Sequence, residues 1–150
     1  MPVVTVVDGR TWLEVIPPDE CWRLIDREPI GRIAVLVDGV PEIYPVNHLV
    51  DDRSVLFRTD PGSKLRAVTA HPMMCFEVDG VDPTYHLGWS VLVKGRAVQL
   101  DSASALARVK DLPLSPWAQG EKSHWIRIEP VEVTGRRIRP GSRRSERARD

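Results

Sequence analysis

The spacing of apolar and polar positions predicts one helix near the start of the chain. Residues 17–20 read Pro-Pro-Asp-Glu, and apolar residues then recur every three or four positions until Pro29. Proline and acidic residues suit the first turn of a helix, and a later proline ends it. The pattern therefore predicts a helix at about 18–28.

From residue 31 onward the apolar period shortens to two, which is typical of strands. Asp38-Gly39 predicts a tight hairpin, Pro45 predicts a bulge or an unpaired stretch, and Gly95 predicts a bend or bulge. Six short strands with such turns predict a mainly β fold, a six-stranded antiparallel barrel. The predicted strands are 32–37, 42–50, 54–59, 73–78, 89–100 and 124–136, the last broken at Pro130, with a loop at 79–88.

Two more helices are predicted between these strands. The first follows Asp60, expected as the capping residue, and Pro61 at the first helical position, and it ends at His71. The second covers 102–110 and is followed by a proline-containing loop.

Length and composition restrict the class of protein. The 150 residues make one domain, and the longest apolar run, 33–37, is five residues, so no membrane span is expected. The first residues lack the basic and apolar regions of a secretory signal. Cys21 and Cys75 form no disulfide framework and no metal set, which favours the cytoplasm and no bound metal.

The net charge of zero hides a basic end. Residues 136–150 contain seven arginines against two acidic residues. Proline, glycine and serine interrupt this segment and no aromatic residue lies in it, so no nucleic-acid partner is expected. We predict one domain at 1–139, with its barrel at 31–138, and a disordered basic tail at 140–150.

The turn between the third strand and the second helix is the strongest candidate for binding an anion. Backbone N–H groups at a helix N-terminus favour an anion, and Thr59 and Ser63 add hydroxyl donors. Lys64 lies in the first turn, where the helix dipole disfavours a cation unless a group such as phosphate binds there. The alternative is an ordinary capped helix with a solvated lysine.

Two other groups of residues carry candidate chemistry. Asn47 and His48 lie on an otherwise apolar strand and either line a polar pocket or satisfy backbone groups near Pro45. Trp89 and Trp125 either belong to the core or form a surface for a flat ligand or a subunit interface. A 150-residue barrel can hardly bury all five of its tryptophans, which predicts a homodimer.

In this order, the motifs resemble the pyridoxamine 5′-phosphate oxidase-like family, the flavin-binding split barrels. The resemblance covers about 18–138 and is closest to the small actinobacterial and nitroimidazole-reductase-like members. It rests on Tyr-Pro-Val-Asn at 44–47, Val-Leu-Phe-Arg-Thr at 55–59, Gly-Ser-Lys at 62–64 and Gly-Trp-Ser at 88–90.

The resemblance implies an FMN-binding split barrel of six strands that forms a homodimer with an FMN in each of two clefts between the subunits. The phosphate would lie at Thr59, Ser63 and Lys64, and the flavin ring along residues 45–47. The implied cofactor-binding residues are Pro45, Val46, Asn47, Arg58, Thr59, Ser63 and Lys64, with Trp89, Ser90 and Arg137 from the partner subunit.

The function implied is an FMN-dependent oxidoreductase acting on a small molecule. One alternative is a deazaflavin-dependent reductase of the same fold. The other is a non-catalytic flavin- or haem-binding dimer, in which His48, His71 or His124 would be the axial ligand. Leu65, where pyridoxamine phosphate oxidases carry a second basic residue, argues against vitamin B6 oxidation.

Overall fold

Six strands close into an antiparallel barrel in the computed structural model, which describes residues 5–10, 13–115, 117 and 123–138. The strand order around the barrel is β5-β4-β3-β6-β7-β8, and β8 closes it by pairing with both β5 and β7. The predicted mainly β, six-stranded fold is confirmed. The elements are β1 (Val6–Val7), β2 (Glu14–Ile16), α1 (Pro18–Arg27), β3 (Ile30–Val37), β4 (Val40–Val50), β5 (Val55–Thr59), α2 (Ser63–Ala70), β6 (Met73–Asp82), β7 (Leu87–Leu100), α3 (Ala103–Val109) and β8 (His124–Arg137).

Two short strands that the sequence did not predict extend the barrel at one edge. β2 pairs with the end of β8, where Ile16 lies opposite Gly135, and β1 pairs with β2. A Cβ atom on Gly135 would lie 2.7 Å from the sulfur of Cys21 in α1. The close approach of α1 to β8 therefore depends on glycine at this position.

The interior of the barrel is apolar and α1 covers part of it. Phe57, Phe76 and Ile33 are fully buried there. A second apolar cluster lies outside the barrel, where Trp125 packs with Leu56 beneath α3. Trp125 is therefore covered by its own chain, and it no longer supports the prediction of a homodimer.

Pro45 lies where one edge of β4 is unpaired by any described strand, which is the second of its two predicted alternatives, and not in a bulge. β3 and β4 pair without a register shift from Ile30 opposite Asn47 to Val37 opposite Val40. The other edge of β4 pairs with β5 only over residues 48–50. The missing N–H of proline is tolerated because no described strand pairs with that edge of β4 at residues 40–47.

The start of α2 differs from the prediction. The N-cap is Gly62, no side chain caps the helix, and the helix begins at Ser63 instead of Pro61. The Gly62 N–H donates to the backbone carbonyl of Asp60 at 2.9 Å, which forms a tight turn before the helix. The predicted side-chain cap at Asp60 is wrong because this turn, not a carboxylate, leads the chain into the helix. The predicted end at His71 is confirmed.

The later strands are longer than predicted. The segment 79–88 is not a loop, because β6 and β7 pair continuously to Asp82 opposite Leu87. The predicted irregularity at Gly95 is confirmed by a register shift against β8. β8 is not broken at Pro130; Val131 is instead an extra residue in a bulge facing Gly95.

No helix within the described ranges is long and apolar enough to span a membrane. The predicted tail at 140–150 lies outside the described residues.

Candidate functional site

The turn from β5 into α2 exposes backbone donors at the start of a helix. The first N–H groups of any helix lack partners within it, and α2 has no side-chain cap to satisfy them. Its first turn contains no acidic residue. The positive end of the helix dipole at Ser63 is therefore a favourable environment for an anion.

A tyrosine from β4 connects this turn to the barrel. The Nζ of Lys64 lies 4.9 Å from the centre of the Tyr44 ring, which is a cation–π contact. The Tyr44 hydroxyl donates to the carboxylate of Glu42, and this hydrogen bond is the main reason that the pKa of Tyr44 is raised. The nearby Ser63 side chain opposes this effect on the pKa of Tyr44.

Tyr44 was not among the predicted site residues. It lies next to Pro45 in the strand that carries the resemblance, but its contact with Lys64 depends on how α2 packs on the barrel. A sequence offers no signal for that packing beyond the proximity of Tyr44 to the motif.

The two residues that end β5 face opposite sides of the strand, as neighbours in a strand do. Thr59 is fully buried and its hydroxyl donates to the backbone carbonyl of Asp60 at 3.3 Å. Arg58 lies 5.1 Å from the centre of the Trp125 ring and donates to the carbonyl of Leu114 at 3.3 Å. Thr59 therefore stabilises the turn, whereas Arg58 points to the other face of the strand, towards the cluster that contains Trp125.

The predicted ring-binding segment alternates in the same way. Val46 is buried in the core, so only its backbone faces outward, whereas Pro45 is exposed. Asn47 is held at both ends of its amide: Nδ2 donates to the carbonyl of Pro29 at 3.3 Å, and Oδ1 accepts from the backbone N–H of Trp117 at 2.8 Å. Asn47 thus satisfies backbone groups, but near Pro29 and not near Pro45.

His48 also satisfies a backbone group. Its side chain is 5% exposed and Nε2 lies 2.8 Å from the carbonyl of Ile25 in α1. A carbonyl only accepts, so Nε2 carries the proton and Nδ1 is the bare nitrogen, which has no partner among the described residues. Burial lowers the pKa of His48, although the nearby Asp26 and Glu28 oppose this effect.

This environment predicts a pH-dependent stability. The pKa of His48 is lowered on folding, so below about pH 6.5 the unfolded chain binds more protons than the folded chain. We expect the free energy of unfolding to fall as the pH drops below that value, by at most about 1.4 kcal/mol per pH unit from this group. Denaturant titrations between pH 5 and 7 should show that the free energy of unfolding of His48→Gln depends less on pH than that of the wild type. An unchanged pH dependence would mean that other groups cause it.

The remaining predicted residues lie together on the ladder between β7 and β8. Trp89 is directly opposite Arg137, and its indole lies against Gly80, where a Cβ atom would be 2.6 Å from Nε1. Arg137 pairs with Glu20 and lies 4.0 Å from the carboxylate of Glu14. An anion binding to Arg137 would compete with these two carboxylates.

The predicted residues thus form two groups. The first is the turn of Ser63 and Lys64 with its neighbours on β4, and the second is the β7–β8 ladder at Trp89 and Ser90. Two strands, β3 and β6, lie between β4 and β7. At about 4.8 Å per strand, β4 and β7 are roughly 14 Å apart around the barrel wall.

A family model described as "Pyridoxamine 5'-phosphate oxidase" matches residues 17–137. The protein Rv0080 of Mycobacterium tuberculosis, which is described as uncharacterized, is 36% identical over 130 residues, covering 83% of this chain and 85% of that protein.

Two solved structures resemble the fold closely. The FAD-binding protein of Mycobacterium smegmatis is 39% identical with a TM-score of 0.70, and the match covers 83% of this chain and 99% of that one. A protein of Corynebacterium glutamicum described as a putative pyridoxamine 5'-phosphate oxidase is 29% identical with a TM-score of 0.74, covering 84% and 98%.

Proposed function

This chain belongs to the pyridoxamine 5′-phosphate oxidase family, and on that premise we propose that it is a flavin-nucleotide-binding oxidoreductase acting on a small molecule. The observation that carries the proposal is the first turn of α2, in which Ser63 and Lys64 follow an N-cap without a side-chain hydrogen bond and no acidic residue is present. The similarity to an FAD-binding protein supports the choice of a flavin.

The turn fits the terminal phosphate of FMN. Backbone N–H groups and the hydroxyl of Ser63 would donate to it, and Lys64 would supply the charge that the helix dipole alone does not. The carboxylate of Asp60 lies close to Gly62, because a Cβ atom on that glycine would be 3.3 Å from its oxygen. Its negative charge repels a phosphate, so we expect the phosphate to bind at a distance from this carboxylate.

The open edge of β4 fits the flavin ring. At residues 45–47 the edge of β4 that faces away from β3 pairs with no described strand, and Pro45 presents a flat apolar surface there. The ring, when bound, supplies the hydride acceptor and donor. Pro45 and the backbone of Val46 would orient it and exclude water from one face.

We also propose a homodimer in which the partner completes the cleft. Trp89 and Ser90 lie on β7, which two strands separate from β4 in the sheet of their own chain, so a second copy would bring them to the ring. Exposed apolar side chains on β4 support this arrangement: Val40 is 60% and Ile43 is 69% exposed. Sedimentation equilibrium at micromolar concentration should give a dimer; a monomer that still binds flavin would remove the shared cleft.

The proposed cofactor is tested by spectroscopy of the purified chain after incubation with FMN. Bound FMN is expected to show the absorption bands of oxidised flavin and a changed fluorescence. In the protein as isolated, a deazaflavin spectrum would favour a deazaflavin-dependent reductase, and a Soret band would favour a haem-binding dimer. Failure to retain any flavin at micromolar concentration would overturn the proposal.

The proposed chemistry is tested separately. The flavin-loaded protein is reduced anaerobically and mixed with small acceptors, and the rate of reoxidation is compared with that of free reduced FMN. An oxidoreductase is expected to accelerate reoxidation by at least one acceptor. Binding without acceleration across the acceptors would leave a flavin carrier.

A further inference from the structure

A groove next to the proposed phosphate site has no role in the function proposed above. It has a volume of about 240 Å³ and lies between α2 and the end of β3. Ser63 lines it and also belongs to the first turn of α2, so the groove is continuous with the turn that would hold the flavin phosphate.

One wall of the groove is a single face of α2. Ser63, Arg66, Ala67 and Ala70 are spaced three and four residues apart, which places them on the same side of a helix. Arg66 follows Ser63 by one turn, about 4.5 Å along the helix axis. A second phosphate attached to one at Ser63 would therefore lie within reach of the Arg66 guanidinium.

The other wall is the hairpin between β3 and β4. Leu36 and Val37 contribute apolar surface, and Asp38 contributes a carboxylate. Asp38 lies in the tight turn between the two strands, with a φ of 51°. Within the part of the chain that the structure describes, Asp38 and Arg66 form no salt bridge with each other or with another residue.

These walls match the chemistry of a nucleotide. A guanidinium binds phosphate, a carboxylate accepts from sugar hydroxyls, and small apolar side chains leave room for a flat base. We propose that the groove receives the adenylate half of FAD, with Arg66 on the second phosphate and Asp38 on the ribose. This inference rests on the proposed function, because it requires the flavin half to lie at Ser63 and Lys64.

The test compares FMN and FAD as ligands of the full-length chain by fluorescence titration. Arg66→Ala is expected to weaken FAD by roughly 10- to 100-fold, the loss of one charge-assisted contact, and to change FMN less than twofold. Ala70→Trp, which fills the groove from an exposed position, should also weaken FAD selectively. The matched control is Arg23→Ala, an exposed arginine on α1, which should change neither affinity.

The possible outcomes separate the two proposals. If both groove variants keep the wild-type ratio of FAD to FMN affinity, or if the wild type binds FMN but not FAD, the groove assignment is overturned and the proposed function stands. If the wild type binds neither flavin, both are overturned. Selective loss of FAD in both variants with unchanged FMN supports the assignment.

Discussion

Replacing Lys64 by alanine is expected to weaken FMN binding by roughly 10- to 150-fold while leaving riboflavin nearly unaffected. A charge-assisted hydrogen bond contributes about 1.5–3 kcal/mol, which corresponds to this range of affinity. Riboflavin lacks the phosphate and so has no contact to lose. Both affinities are measured by quenching of flavin fluorescence on the same preparation.

Two further variants make the result specific. Lys110→Ala removes an exposed lysine after α3 and should change neither affinity. Lys64→Arg keeps the charge and should restore most of the FMN affinity. Lys64 also lies over the Tyr44 ring, so thermal unfolding without ligand must accompany the titrations. Equal losses for FMN and riboflavin would mean that Lys64 acts through the fold and not on the phosphate.

The barrel could be predicted because local sequence patterns indicate its strands. The alternation of apolar residues in 32–37 and the Asp38-Gly39 turn need no knowledge of the rest of the chain. Gly95 was also predictable, since a glycine within a strand marks a bulge or a close approach. In the structure a Cβ atom there would lie 2.4 Å from the carbonyl of Glu129, which explains why the strand carries a glycine.

What the sequence did not predict depends on pairing between distant segments. Residues 79–88 contain glycine and proline and so predict a loop. In the structure ten residues of β6 pair with ten of β7, and the pairing continues to Asp82 opposite Leu87. Trp125 suggested an interface because nothing in the sequence indicates that α3 covers it. Asp60 suggested a cap because local propensity does not reveal that Gly62 occupies the N-cap position.

The candidate site divides along the same line. Thr59, Ser63 and Lys64 are close in sequence, so their order predicts a turn from a strand into a helix, but not the residue at which the helix begins. Tyr44 and Arg66 were missed, because their roles follow from how α2 packs against β3 and β4. A local motif therefore indicates the turn that we propose for the phosphate, and the packing of one helix forms the surfaces around it.

Replacing Phe76 by alanine is expected to have the largest effect on stability, about 3–5 kcal/mol. The side chain is fully buried, and its ring lies so close to Gly31 that a Cβ atom there would be 2.4 Å from it. Since Gly31 has no side chain to move into the space, the cavity should remain open and the loss should fall in the upper part of that range. Thermal unfolding should shift down by about 10 °C or more.

The same change should alter His48, which gives the prediction a second readout. The His48 and Phe76 rings meet edge to face with centres 4.9 Å apart, and the Nδ1 of His48 has no partner in the part of the chain that the structure describes. Phe76→Ala opens space against the His48 ring, and water that enters this space would relieve the burial that lowers the pKa of His48. We therefore expect its pKa to rise toward the ordinary value in Phe76→Ala, as measured by NMR titration of the ring.

The control is Ile128→Ala, because Ile128 is also fully buried but lies on β8. This variant should lose about 2–5 kcal/mol of the free energy of unfolding and leave the pKa of His48 unchanged. A pKa that stays low in Phe76→Ala would mean that the cavity collapses or stays dry, and that His48 is shielded by the rest of the barrel and not by this ring.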